Sequence, residues 1–186
     1  MLDIGLAPGN FLISPPSMAD SRFTQSVVVL THHRDTSLGF CINKPVKHSL
    51  REIVSELDID ISFDPTVFWG GPVNQSTVWM LHDNSWTHPA SIAIDENWNM
   101  LSHITMFDNF NDGYKPEYFK IVMGCSSWAP EQLESEMRGD PPWSQNHSWL
   151  ILRSPPLSLL TEIDSADLWK VSTDLCLKQS VSQLMT

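Results

Sequence analysis

The chain has 186 residues, 41% of them hydrophobic, with 22 acidic against 11 basic side chains and a net charge of −11. That length and apolar content suit one domain with its own core and exclude a disordered chain. The acidic balance argues against a nucleic-acid-binding protein, and no apolar run reaches the length of a bilayer-spanning helix.

In chain order, residues 10–13 read as a short strand. Residues 26–31, Ser-Val-Val-Val-Leu-Thr, are a continuous β-branched run, the pattern of a strand buried on both faces. Residues 38–43 predict a second long strand, closed by Lys44-Pro45. Ser49-Leu50-Arg51-Glu52 has capping-box spacing: the serine oxygen accepts from the backbone three residues on, and the glutamate reaches back. Leu50, Ile53, Val54 and Leu57 share one helical face, so a helix is predicted over 49–58. Residues 66–69 read as a strand running into Gly70-Gly71-Pro72, and 77–82 and 91–94 as two more. Residues 105–111 predict a short helix with Met106, Phe107 and Phe110 inward, stopped at Gly113.

Residues 118–123 form the next predicted strand. Pro130 at a first helical position and Glu131 in the first turn predict a helix over 130–138. Leu133 stacks on Met137, Glu134 pairs with Arg138, and the remaining acidic side chains face solvent. Residues 149–153 read as a strand. The last helix, 164–178, is capped at Ser165 and carries Leu168, Trp169, Ser172, Leu175 and Cys176 on one side. Proline pairs at 15–16, 141–142 and 155–156 anchor loops. Short strands mixed with a few helices, without regular βα alternation, predict a single α+β domain over residues 1–186.

The chemistry-bearing residues are sparse. Cys41, Cys125 and Cys176 are widely spaced with no Cys-x-x-Cys, which reads as three reduced thiols in a reducing compartment. Met1-Leu2-Asp3-Ile4-Gly5 lacks the basic-then-apolar pattern of a secretory signal. Cys125, shortly before a helix, is the candidate nucleophile of a thiol hydrolase or redox enzyme, with His82, His103 or His147 as base. The competing reading is a small structural residue. Residues 52–114 hold ten acidic side chains and no Lys or Arg, so any phosphate contact falls to Arg34, Lys44, Lys47 and Arg51.

His32 and His33 alternate across a strand and do not share an ion easily. The run from Asp58 to Asp64 fails as a calcium loop, with Phe63 at the glycine position and Trp69 at the bidentate one. Gly70-Gly71-Pro72 lacks the Lys and Ser/Thr of a phosphate loop. No metal or cofactor is expected. Eight Trp should sit at core edges or line a groove.

Five segments in order carry a resemblance: Gly9-Asn10-Phe11-Leu12-Ile13; Phe23-Thr24-Gln25-Ser26-Val27-Val28; Gly39-Phe40-Cys41-Ile42-Asn43-Lys44-Pro45; Gly70-Gly71-Pro72-Val73; and Trp128 through Glu136. Together they resemble the YqgE/AlgH family of small bacterial and phage proteins. The resemblance implies a bent, pseudo-barrel mixed sheet with flanking helices, a cytoplasmic setting and a loose association with transcriptional regulation. It also shows departures. Gly124-Cys125-Ser126-Ser127-Trp128 stands where relatives carry Gly-Tyr-Ala-Gly-Trp, and Ala129-Pro130-Glu131 stands where they carry Gly-Pro-Gly. The expectation is a non-enzymatic binding or regulatory module with a protein or small-molecule partner. Its groove lies between three turns, at Asn43, Lys44, Pro45, Gly70, Gly71, Pro72, Ser127, Trp128 and Gln132.

Overall fold

The apolar runs of the N-terminal third become three antiparallel strands: β1 (Phe11–Ile13), β2 (Val27–His33) and β3 (Ser37–Cys41). The structure is a computed structural model and describes residues 5–55, 59–103, 105–108 and 110–185. All of β1 and the first five residues of β2 are buried, as a strand covered on both faces requires. Helix α1 (Leu50–Val54) begins where its sequence says. Ser49 Oγ accepts from Glu52 N–H at 3.1 Å, and Glu52 Oε2 accepts from Ser49 N–H at 2.9 Å. The rest of that predicted helix, Leu57 included, lies outside the described residues.

The chain continues through β4 (Val67–Trp69), β5 (Val73–Asp83), β6 (Ile92–Ala93), β7 (Trp98–Leu101), β8 (Phe119–Trp128), α2 (Gln132–Arg138), β9 (Leu150–Leu152), α3 (Ser158–Thr161) and α4 (Ser165–Leu184). Neither β7 nor α3 is foreseen from the sequence. β7 is short and owes its place to pairing with β5 on one side and β6 on the other. The helix predicted over 105–111 is corrected to turns and one 3-10 turn, Phe110–Asp112, although Met106, Phe107 and Phe110 are buried. α4 starts after Asp164 rather than at a Ser165 cap, and it buries Leu168, Ser172 and Cys176.

One nine-stranded sheet runs β6-β7-β5-β8-β3-β2-β1-β9, with β4 pairing β8 off this path. The β4–β8 pair is parallel and the others are antiparallel, so the sheet is mixed, and it curls into a half-barrel. β8 is the joint. Its first half pairs with β4 and β5, and Ser126–Trp128 pairs with β3. Between the halves, Gly124 takes a left-handed φ of 77°.

Gly70 and Gly71 cross β8 at the same point. A Cβ on Gly70 would stand 2.2 Å from the Gly124 carbonyl oxygen, and one on Gly71 would stand 2.2 Å from the Cys125 carbonyl carbon. Gly-Gly-Pro is therefore a close backbone crossing at positions where a side chain has no room. Gly70 N–H donates to Met123 O at 2.8 Å, and the Ser126 hydroxyl donates to Gly70 O at 3.2 Å. The crossing fixes the C-terminal end of β8, where the side chains turn outward into a cleft.

Candidate functional site

Ser126, Ser127 and Trp128 are the last residues of β8, not a turn. The chain then reverses at Ala129-Pro130-Glu131. Glu131 adopts a left-handed conformation, φ 60°, and α2 starts after it, so Pro130 is outside the helix. Leu133 and Glu136, three apart, both face inward, and Leu133 is fully buried. The reading of α2 as a solvated acidic face is corrected at Glu136, which is only 9% exposed. The Glu134–Arg138 pair is also replaced. Arg138 meets Asp140 at 2.7 Å, and Glu134 lies 3.6 Å from His33.

Glu136 organises the site. The indole N–H groups of Trp128 and Trp149 both donate to its Oε2, at 3.1 and 3.2 Å. Gln132 Nε2 donates to Oε1 at 2.9 Å, and Gln132 Oε1 accepts from Ala129 N–H at 3.0 Å. The Ser148 hydroxyl donates to the Glu136 carbonyl at 3.1 Å, tying the segment before β9 to α2. A 3-10 turn, Ser21–Phe23, supplies the opposite wall. Phe23 meets Trp149 edge-on at 5.3 Å between ring centres, and Trp128 meets Trp149 at 6.2 Å.

These groups enclose a cleft of about 230 Å³, also lined by Met18, Trp143 and His147. At its rim Arg22 chelates Asp20, with Nε–Oδ1 at 3.0 Å and Nη2–Oδ2 at 2.6 Å. The Arg22 hydrogen bond holds the Asp20 carboxyl below its ordinary range, against a smaller opposing effect of burial.

Of the residues expected at a groove, the structure brings four to this cleft: Pro72, Ser127, Trp128 and Gln132. Asn43, Lys44, Pro45, Gly70 and Gly71 do not line it. Asn43 is buried and secures the start of β2, accepting from Val27 N–H at 2.8 Å and donating to Gln25 O at 2.9 Å. Lys44 O accepts from Trp69 N–H at 2.7 Å, and Pro45 bridges to Phe68. As cleft residues, sequence reasoning missed Met18, Asp20, Arg22, Phe23, Ser126, Glu136, Trp143 and Trp149, and it singled out His147 only as a possible base for Cys125. A usable signal existed for Glu136, which shares the inward i, i+3 face with Leu133.

Other chemistry is placed as follows. All three cysteines are free and buried, and burial pushes each thiol up from its ordinary value. Cys125 is 3% exposed and lies outside the cleft lining. The Ser37 hydroxyl sits 2.8 Å from His33 Nδ1, whose Nε2 faces Glu134 at 3.6 Å. Ser37 is 3% exposed, and this row cross-links β2, β3 and α2. His82 is 1% exposed. Its Nδ1–H donates to Asp83 O at 2.7 Å, and its Nε2 accepts from the Ser91 hydroxyl at 2.8 Å. Burial pushes its pKa down. Among the described residues no three His, Cys, Asp or Glu side chains gather as metal ligands, and no helix is long and apolar enough to cross a membrane.

The four candidate cations flank β3 in sequence. Arg34 lies in the β2–β3 hairpin, whereas Lys44, Lys47 and Arg51 follow the far end of β3. Five strand residues, at about 3.3 Å each, intervene.

A family model described as AlgH-like matches residues 11–179. The chain belongs to the AlgH-like family. A UPF0301 protein of Pasteurella multocida is 29% identical over 167 residues, covering 86% of each chain. One from Paraburkholderia phymatum is 30% identical over 152 residues, covering 78% of this chain and 76% of its own. The solution structure of the AlgH protein from Pseudomonas aeruginosa superposes with a TM-score of 0.70 at 25% identity, covering 89% of this chain and 87% of that one. The crystal structure of protein DIP2367 from Corynebacterium diphtheriae shares the fold, with a TM-score of 0.67 at 22% identity, covering 88% of this chain and 84% of that one. In this AlgH-like chain the matched region spans β1 to α4 and so contains the whole cleft.

Proposed function

We propose that this AlgH-like protein is a non-enzymatic binding or regulatory module that holds a small molecule, or a side chain of a protein partner, in the cleft between β8, α2 and the Ser21–Phe23 turn. The observation that carries the reading is the Glu136 network. One buried carboxylate fixes two indoles and a glutamine around an open cavity, which pre-organises its walls and lowers the ordering cost of binding. The Ser126 hydroxyl beside it is committed to the Gly70 carbonyl, and the thiols lie elsewhere. A thiol enzyme built on Cys125 draws less support, because the sulfur is buried and its pKa is raised. Direct duplex binding draws less still, because 11 basic side chains stand against 22 acidic ones. Any part in transcription would then be indirect. A cytoplasmic setting belongs to the same proposal and accords with three free thiols.

The test is affinity capture from native cell extract with the wild-type chain and a Trp143→Ala variant, identifying bound proteins and small molecules. The reading expects a species held by the wild type and lost from the variant. Identical recovery on both would overturn it.

A further inference from the structure

Glu136 is buried, yet its carboxylate meets only neutral donors: two indole N–H groups and one amide. Among the described residues no Lys, Arg or His comes within ion-pair distance of it. Buried carboxylates ordinarily have a cationic partner, because three neutral hydrogen bonds offset only part of the lost hydration. This one instead borders a cavity. The cavity's nearest cation, Arg22, is already chelated by Asp20, so the two cancel and Glu136 leaves the lining with one formal negative charge. Phe23, Trp128, Trp143 and Trp149 supply aromatic surface around that charge, and ring systems attract cations. Hydroxyls from Ser126 and Ser127 and the Pro72 ring complete one side, with no further basic side chain save His147.

We infer that the cleft takes a compact organic cation, an alkylammonium or guanidinium group, which supplies the missing counter-charge to Glu136 and packs against the tryptophans. The inference rests on the binding reading given above. The same head group occurs in free amines and in the lysine or arginine side chains of a protein, so the probes cover both sources.

The experiment titrates the full chain with 1,4-diaminobutane and with arginine amide as free cations, and with a short Gly-Arg-Gly peptide as the side-chain source. Butyrate and 1-butanol serve as the anionic and neutral matches. Binding is read from tryptophan fluorescence and from the indole N–H resonances of Trp128 and Trp149, which report the cleft directly. At least one cationic probe should saturate and shift both resonances, while butyrate and butanol should not. Glu136→Gln should weaken the cation about tenfold or more, as loss of one hydrogen-bonded charge does. Because that variant also disturbs two indole donors, Trp143→Ala is the second arm. Among the described residues its indole N–H has no hydrogen-bond partner, and this variant too should weaken the cation several-fold.

If arginine amide and the peptide bind alike, a protein side chain is the favoured source. If only the free amine binds, a small molecule is. Equal binding of butanol or butyrate, or cation binding unchanged in both variants, would overturn the cation assignment while leaving the cleft a binding site. Silence from every probe, together with identical capture by wild type and Trp143→Ala, would overturn both readings and leave Glu136 a purely structural strut.

Discussion

At the scale of single residues, the buried polar groups divide by what they accept from. Glu136 fastens three donors around a cavity, whereas His82 is enclosed and neutral, with both ring nitrogens engaged. His82 titrates below its ordinary value of 6.5 because burial penalises the imidazolium, against a smaller opposing effect of Asp83 and with a minor contribution from His88. The sign follows from linkage. The unfolded chain takes up a proton at the ordinary value and the folded chain only below it. The stabilisation is therefore complete above about pH 6.5 and is lost as pH falls through the depressed folded value. The denaturant midpoint should fall between pH 7 and pH 5, and His82→Gln should flatten that fall. An unchanged slope in the variant would assign the acid sensitivity to other groups. Asp20 acts lower, since its carboxyl is held down by Arg22 and loses that contribution only in the acid range.

Among the elements, α2 starts under strain. Glu131 holds φ 60°, a conformation that costs an L-residue about 1–2 kcal/mol and that glycine adopts freely. The resemblance places glycine here in relatives, so this chain carries a local penalty at the helix that positions Gln132 and Glu136. Glu131→Gly should raise stability by up to about 1 kcal/mol, the gain being reduced by the larger unfolded-state entropy of glycine. The denaturant midpoint measures it, and a clear loss would mean that the Glu131 side chain contributes more than its backbone costs. α1 shows the opposite case, a helix whose start is decided by its own sequence. Its capping box satisfies donors on both sides without tertiary help.

For the whole molecule, charge placement decides which partners are accessible. The net charge is −11, and of the 11 basic side chains Arg34 precedes β3 while Lys44, Lys47 and Arg51 follow it. Long-range repulsion from 22 acidic side chains against 11 basic ones underlies the proposal that duplex binding is weak. Binding to generic duplex DNA should stay no tighter than about 10⁻⁴–10⁻⁶ M at physiological salt, measured by fluorescence anisotropy. Submicromolar, sequence-selective binding lost in Lys44→Glu/Lys47→Glu with the fold intact would reverse that conclusion. The same global view explains the glycines. Gly70, Gly71 and Gly124 let two segments far apart in sequence touch through their backbones, and this crossing aims the end of β8 at the cleft.

The local sequence sufficed wherever a short-range pattern carried the information. The β-branched run of β2, the capping box of α1, the inward face of α4 at Leu168, Ser172 and Cys176, and the motif-borne family resemblance were all legible. Long-range geometry was not. β7 exists because β5 and β6 pair with it, and the Ser126–Trp128 segment is strand rather than turn because β3 receives it. The cleft collects side chains from Met18 to Trp149, too far apart for any spacing rule. Asn43, the most specific polar residue in its motif, went to backbone support, while Glu136, which read as one more solvated acid, became the centre of the site. Only tertiary structure could decide between them. The role of a polar side chain is set by which donors packing brings within 3 Å or so, and that is a property of the folded sheet rather than of the residues beside it.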